Sequence, residues 1–277
     1  MKQVRAQMEK CLRLGRYSES TRRNYLLYVE KFAVHFQRSP VEMGAEEVRQ
    51  FLLYYLEERR ASRSTITLIR AALRFLYTIT LNRPLEVTQI PVPRQQKHLP
   101  VVLGGTEVEA LLRAVRVPKY RAILMSAYSA GLRISEACRM RAADIDSRRM
   151  LLRVRGKGGK DRCTILSTRL LRYLREYWRR ARPQGEWLFP GSKSGKPVSP
   201  RTVRRIFKIA VNEAGITKKV TPHSLRHSFA THLVETGTDI TVVQAVLGHR
   251  ELRTTLIYAH TSVELIAKTP SPFDLFG

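Results

Sequence analysis

Apolar residues recur every three or four positions through most of the first ninety residues, which is the spacing of one buried helix face. The recurrence is clearest over residues 25–36, 48–56 and 66–76. Three amphipathic helices in succession predict a small helical domain at the amino-terminal end of the chain.

A basic stripe follows the polar side of the third of these segments. Arg63, Arg70 and Arg74 are separated by seven and then four positions, so they share the face opposite the apolar one. Such a stripe is either a solvated surface or a contact with phosphate, and the pattern leaves both readings open.

Four prolines within seventeen residues interrupt the periodicity after the helical segments. Proline at this density prevents regular structure and favours an extended tether. We therefore predict a helical domain over residues 1–90, a linker over 91–104 and a second domain over 105–277.

The second domain mixes helix and strand signals. Thr106 and Glu109 have the spacing of a helix-capping pair, and an apolar helix is expected over 119–130, ended by Gly131. Two short strands are expected over 150–155 and 161–166, around a glycine-rich turn. Later helix starts and stops are indicated by five further positions: Pro200, Pro222, Gly215, Gly237 and Gly248. The fold class is mainly α with a small antiparallel sheet (α+β).

The net charge of the chain indicates the class of molecule that it binds. Lys and Arg number 50 against 23 Asp and Glu, which gives a formal net charge of +27. The first ninety residues alone carry 16 basic and 9 acidic side chains, so the excess is not a terminal tail. A polyanion is the expected partner, and nucleic acid is the leading candidate.

The three cysteines have no metal-ligand spacing and suit a reducing compartment. No apolar signal core follows the first residues, and no apolar run reaches a membrane span. We expect a cytoplasmic protein without a membrane partner.

The candidate chemistry lies in the last quarter of the chain, where His223, Arg226, His249 and Tyr258 follow one another. Arginine binds phosphate through two parallel donors, histidine moves protons near neutral pH, and a tyrosine oxygen can attack phosphorus. These residue types suit the cleavage of a phosphodiester without a metal ion.

Metal sites are less well supported. His223 and His227 are four apart, but a metalloprotease helix needs glutamate where Ser224 stands. Asp144 and Asp146 are better read as turn residues than as ligands of a two-metal nuclease. His227 and His232 are expected to be packed or surface residues.

Arg133, at a helix terminus, and Lys157, in a glycine-rich turn, would each be ordinary alone. Together the segments GLRISE, GKGGK, HSLR and LGH, followed by Tyr258, resemble the tyrosine recombinases, also called the phage integrase family. The order and spacing match over residues 106–260. The helical segment before them is similar to that family's core-binding domain, so the resemblance implies a core-binding domain followed by a catalytic domain.

The resemblance implies a role for each matching residue. Arg133, Arg226 and His249 would hold the scissile phosphate, and Tyr258 would attack it to give a 3′-phosphotyrosyl link. Lys157 would protonate the departing 5′-oxygen, and His223 would assist proton transfer at the tyrosine. Glu136, near Arg133, would orient the histidine or the arginine.

The resemblance also implies no metal or ATP, and a double-stranded DNA partner with specific recombination sites. Family members act as tetramers on two sites, so a homo-tetramer, or a hetero-tetramer with a related recombinase, is expected. Two alternatives stay open: a non-catalytic DNA-binding regulator, and an enzyme resembling type IB topoisomerases that relaxes DNA.

Overall fold

A computed structural model describes residues 2–83, 100–156, 161–193 and 195–248. The chain divides into two compact units, residues 1–97 and 98–277. The predicted linker 91–104 lies mostly outside the described residues. Lys157, His249, Tyr258 and the carboxy-terminal residues 261–277 lie entirely outside them.

The first unit is helical throughout its described residues. Its helices are α1 (Lys2–Leu14), α2 (Glu19–Phe36), α3 (Ala45–Glu57) and α4 (Arg63–Phe75). Ser18 and Ser62 cap α2 and α4, since each hydroxyl accepts a hydrogen bond from the backbone amide three residues later. A single π-helical turn, Leu76–Thr80, extends α4.

Aromatic side chains fill the core of this unit. Phe32, Phe51 and Tyr77 are almost completely buried, and Phe32 meets the other two rings edge to face, with centroids 5.2 and 6.5 Å away. The Tyr77 hydroxyl donates to the Pro40 carbonyl oxygen at 3.0 Å, so its buried polar atom is satisfied. The apolar periodicity of the three predicted helices is confirmed by this core.

The second unit surrounds a separate core that includes Ile123, Leu124, Phe189 and Phe207. Its helices, in chain order, are α5 (Gly105–Ala114), α6 (Pro118–Ser129), α7 (Ile134–Cys138), α8 (Thr168–Ala181), α9 (Pro200–Glu213), α10 (Pro222–Glu235) and α11 (Ile240–Leu247).

A three-stranded antiparallel sheet lies between α7 and α8 in the described sequence. It consists of β1 (Ile145–Asp146), β2 (Leu151–Val154) and β3 (Arg162–Ile165), in the order β1-β2-β3. Arg153 opposes Cys163 in the β2–β3 pairing. The two predicted strands and the α+β class are confirmed, whereas β1 was not predicted, because two residues are too few to show an alternating pattern.

The capping pair predicted for α5 is displaced by two residues. Gly104 occupies the cap position, and the Glu107 carboxylate accepts its backbone N–H at 2.7 Å. Lys218 also donates to Glu107 at 2.6 Å, and this anchors the acidic partner. Thr106 therefore lies inside the helix, and Glu109 pairs with Arg113 and Arg169 instead.

The other helix boundaries follow the predicted residues. Gly131 ends α6 at φ +60°, and Gly248 ends α11 at φ +66°, a left-handed conformation that favours glycine. Within the part of the chain that the structure describes, no helix is both long and apolar enough to cross a membrane.

Candidate active site

The Arg226 side chain is buried beneath the second unit's surface and joins two chain segments. Its Nη1 donates to the Gly131 carbonyl oxygen and its Nη2 to the Leu247 carbonyl oxygen, each at 2.6 Å. The Leu247 carbonyl belongs to the last turn of α11, where the backbone has no helical partner and carries partial negative charge, and Gly131 follows the end of α6. Arg226 thereby fixes the ends of α6 and α11 beside each other.

Arg133 stands at the start of α7 and shares the Glu136 carboxylate with its own backbone. Its Nη1 donates to Glu136 Oε1, and its backbone N–H donates to Oε2, both at 2.8 Å. The Arg133 side chain is 40% exposed, whereas that of Glu136 is 12% exposed. The arginine therefore presents a guanidinium at the surface that is held from behind by a buried carboxylate.

A third arginine completes the cluster from β3. Arg162 Nη1 and Nη2 donate to Glu136 Oε1 and Oε2 at 3.1 and 2.9 Å, and its Nε donates to the Val246 carbonyl oxygen at 2.8 Å. Arg226 Nη1 lies 3.8 Å from Glu136 Oε2. Three guanidinium groups thus converge on one carboxylate, and the excess positive charge suits an incoming anion such as phosphate.

The ionised state of Glu136 depends on these arginines. Burial alone would raise the pKa of its carboxyl, but the hydrogen bonds and charge of Arg162, with those of Arg133, lower it to about 2. Glu136 is therefore a permanent anion at neutral pH and keeps the two arginines oriented.

His223 lies in the first turn of α10, three residues before Arg226, with its ring partly exposed. Partial burial and the charges of Arg226, Arg133 and Arg204 lower the pKa of its imidazole below the usual 6.5. The ring is therefore neutral at pH 7, and it can accept a proton there.

A groove of about 540 Å³ joins the exposed parts of this site. His223 and Arg133 line it, together with Ser135, Arg204 and Lys208. A larger cavity of about 900 Å³ has an apolar lining that includes Met125, Tyr128 and Phe229, and no predicted site residue among those described borders it. The basic groove is the better place for a phosphate.

The structure thus brings together four of the residues that the sequence singled out: Arg133, Glu136, His223 and Arg226. Lys157, His249 and Tyr258 fall outside the described residues. In the first unit Arg74 is exposed, and Arg63 and Arg70 are half-buried.

The residues set aside as ligands have other partners. Asp144 accepts hydrogen bonds from Arg155 and from the Arg141 backbone. Asp146 accepts from the backbone amides two and three residues later, which forms the expected turn. The Tyr128 hydroxyl and His232 Nδ1 are hydrogen-bonded at 2.9 Å.

Sequence reasoning missed Arg162 and Arg204. Arg162 is one basic residue among 50, and its pattern did not distinguish it from its neighbours. Arg204 is one of four exposed basic residues on α9, and no acidic residue lies between them in the sequence: Arg201, Arg204, Arg205 and Lys208. That charge pattern could have drawn attention to α9.

Comparison with known protein families identifies the family of this chain. Residues 102–264 match the phage integrase family, and residues 4–87 match the N-terminal SAM-like domain of phage integrases. Together these matches cover most of the sequence. The chain belongs to the phage integrase family, so the resemblance noted from its motifs is confirmed.

Relatives match over almost the full length. The Sinorhizobium fredii protein y4qK, whose name gives it as an integrase/recombinase, is 42% identical over 99% of this chain and 90% of y4qK. The tyrosine recombinase XerA of Pyrococcus furiosus is 37% identical over 91% of this chain and 87% of XerA.

Solved structures share the fold. A λ integrase fragment bound as a dimer to a core site superimposes with a TM-score of 0.75 at 20% identity, covering 98% of both chains. A crystal structure of XerA recombinase gives a TM-score of 0.56 at 27% identity, covering 96% of each. The α+β architecture, with a SAM-like domain followed by a catalytic domain, is that of the tyrosine recombinases.

Proposed function

We propose that this protein is a site-specific DNA recombinase that cuts and rejoins DNA through a 3′-phosphotyrosyl intermediate, without metal or ATP. The single observation that supports this most is the convergence of Arg133 and Arg226 near one buried carboxylate, beside a neutral histidine. The names of its relatives favour recombination over the two alternatives, regulation without catalysis and DNA relaxation.

Each step of the proposed reaction uses a named group. The Tyr258 oxygen attacks phosphorus, its proton passes to His223, and the bond to the 5′-oxygen breaks. Lys157 gives a proton to that leaving oxygen, so the products are a 3′-phosphotyrosyl link and a free 5′-hydroxyl. Arg133, Arg226 and His249 stabilise the negative charge of the pentacoordinate state.

Rejoining is the same reaction in reverse with a different strand. A 5′-hydroxyl from the partner duplex attacks the phosphotyrosyl link and returns its proton to Lys157, while His223 returns a proton to Tyr258. Each phosphodiester is exchanged for a phosphotyrosyl ester and back, and this accounts for the lack of any need for ATP.

The two units share the work of binding DNA in this proposal. We assign a core-binding domain to residues 1–90, a linker to 91–104 and a catalytic domain to 105–277. Arg74 is exposed on α4, and Arg63 is half-buried at the start of the same helix. These arginines, with Arg70, are proposed to contact the DNA backbone.

The assembly follows from the chemistry. Four strands are cut to exchange two duplexes, and each subunit supplies one tyrosine, so four subunits act on two sites. We propose a tetramer, of identical subunits or shared with a related recombinase, that acts on DNA in the bacterial cytoplasm.

Covalent capture tests the chemistry. The protein is incubated with fragmented genomic DNA from its host, and the DNA that stays attached in detergent is sequenced to find the site. A nicked suicide substrate built on that site is expected to trap wild type in EDTA, but not Tyr258→Phe. Trapping by Tyr258→Phe, or a requirement for Mg²⁺, would contradict the mechanism.

Recombination and relaxation are then separated on one plasmid that carries two copies of the recovered site. Recombinant circles support the proposal. Relaxed plasmid without any recombinant product would indicate a topoisomerase-like enzyme.

A further inference from the structure

We propose that Arg162 is a positioning residue of the reaction. It joins the Glu136 carboxylate to the end of α11, the helix that precedes His249 in the chain. The inference rests on the proposed function. It concerns a residue of β3 that touches none of the reacting atoms in our assignment and acts through Glu136 and the end of α11.

The Arg162 guanidinium uses all three of its nitrogens on two separate segments. Nη1 and Nη2 hold both Glu136 oxygens, at 3.1 and 2.9 Å. Nε donates to the Val246 carbonyl oxygen at 2.8 Å. Because the guanidinium is planar and rigid, these bonds fix α7 and the end of α11 in one mutual arrangement.

The Arg162 side chain is largely buried in the site. Arg162 is 11% exposed, and an added Cβ at Gly248 would lie 2.6 Å from Arg162 Cδ. The residue before His249 is therefore in contact with the Arg162 stem and has no room for a larger side chain. The contact fixes where the chain leaves α11.

Arg226, on α10, binds the same end of α11 through the Leu247 carbonyl oxygen. Val246 and Leu247 are thus each bound by a different arginine, and both arginines face Glu136. A shift of Glu136 would therefore displace Arg133 and, through Arg162 and Arg226, also the end of α11. Misplacement by about 1 Å can lower a catalytic rate by about 100-fold, so this coupling matters for the chemical step.

Arg162 differs from Arg153, the arginine of the partner strand in the same hairpin. Arg153 in β2 also pairs with a carboxylate, Asp161 at 2.9 Å, but its side chain is 61% exposed. It supplies a matched control, because Arg153→Gln removes an arginine–carboxylate pair next to the same turn without touching Glu136.

The test is single-turnover cleavage of the suicide substrate at saturating DNA, in which the rate constant reports the chemistry and the amplitude reports the active fraction. Arg162→Gln is expected to lower the rate constant by about 10- to 100-fold at unchanged amplitude and DNA affinity. Arg162→Lys, which keeps the charge but loses the planar fork, should be intermediate. Arg153→Gln should stay within about twofold of wild type.

A double variant identifies the route. If Arg162 acts through Glu136, then Arg162→Gln with Glu136→Gln cleaves within about twofold of the slower single variant. Additive defects would overturn that route. A loss of amplitude with a normal rate constant would reduce Arg162 to a folding residue and also overturn the inference.

If the proposed function itself is wrong, the suicide-substrate assay gives a different result from the one that contradicts the role of Arg162. A wild-type protein that traps no DNA under any condition contradicts the recombinase assignment. Wild-type trapping with an equally fast Arg162→Gln contradicts only the positioning role.

Discussion

Arg226 Nη2 lies 2.6 Å from the Leu247 carbonyl oxygen, so a buried arginine of α10 closes the last turn of α11. The chain reaches His249 two residues later. An arginine assigned to the phosphate thus also sets the position from which the proposed histidine and tyrosine segment begins, and its loss should affect both chemistry and stability.

Arg133 and Arg226 should respond differently to substitution. Arg133→Ala is expected to cut about 100-fold more slowly or worse, with unchanged DNA affinity and a thermal midpoint near that of wild type, because the side chain is 40% exposed. Arg226→Lys should lose as much rate and also unfold at lower temperature, since one ammonium cannot replace both carbonyl contacts. Single-turnover cleavage and calorimetry measure the two effects. Near-normal cleavage by either variant contradicts its assignment.

Stability should depend on pH through Glu136. The pKa of this carboxyl falls from 4.5 to about 2 on folding, so its contribution is complete above pH 4.5 and is lost as the pH falls towards 2. The shift corresponds to about 3 kcal/mol of unfolding free energy. Urea titrations of wild type and Glu136→Gln should differ at pH 7 and converge near pH 2. A difference that persists unchanged at low pH would show that the carboxylate charge is not the cause.

His223 should titrate below 6.5 in the free protein. Burial is the main cause and the neighbouring arginines add to it, so Arg204→Gln should raise the pKa of the imidazole towards its usual value. NMR titration of the ring resonances measures this directly. A wild-type pKa that is not lowered would contradict the stated effect of burial and the arginines, and a ring that is mostly protonated at pH 7 could not act as the proton acceptor there.

The basic face of α4 should govern salt dependence. Arg74→Ala is expected to weaken DNA binding and to reduce the slope of log affinity against log salt by about 1. Arg13→Ala is a suitable comparison because Arg13 is exposed but paired with Glu9 at 2.6 Å, and its slope should change less. Equal slopes for wild type and Arg74→Ala would show that the α4 face is solvated.

The sequence predicted the helices and the hairpin because their signals are local. The spacing of apolar residues identified three helices of the first unit, and Gly131 and Gly248 were recognised as helix ends because few other residues adopt positive φ there. The capping pair of α5 was placed wrongly, since Gly104 has no side chain to recognise and Glu107 is held by the distant Lys218.

The site was predictable only in part. Arg133 and Arg226 belong to recognisable motifs, but Arg162 acquires its role from contacts with Glu136 and Val246, which are 26 and 84 residues away. No spacing rule reports such pairs. The burial of Arg226 was equally invisible, because an arginine on a helix is usually exposed.

The central claim is that Tyr258 becomes covalently attached to DNA, and mass spectrometry of the trapped complex tests it most directly. Trypsin cleavage at Arg253 and Lys268 should release a peptide in which Tyr258 is the sole tyrosine. After nuclease digestion, we expect this peptide to carry a nucleotide joined through its 3′-phosphate, and Tyr258→Phe to carry none. Attachment at another residue, or through a 5′-phosphate, would contradict the account.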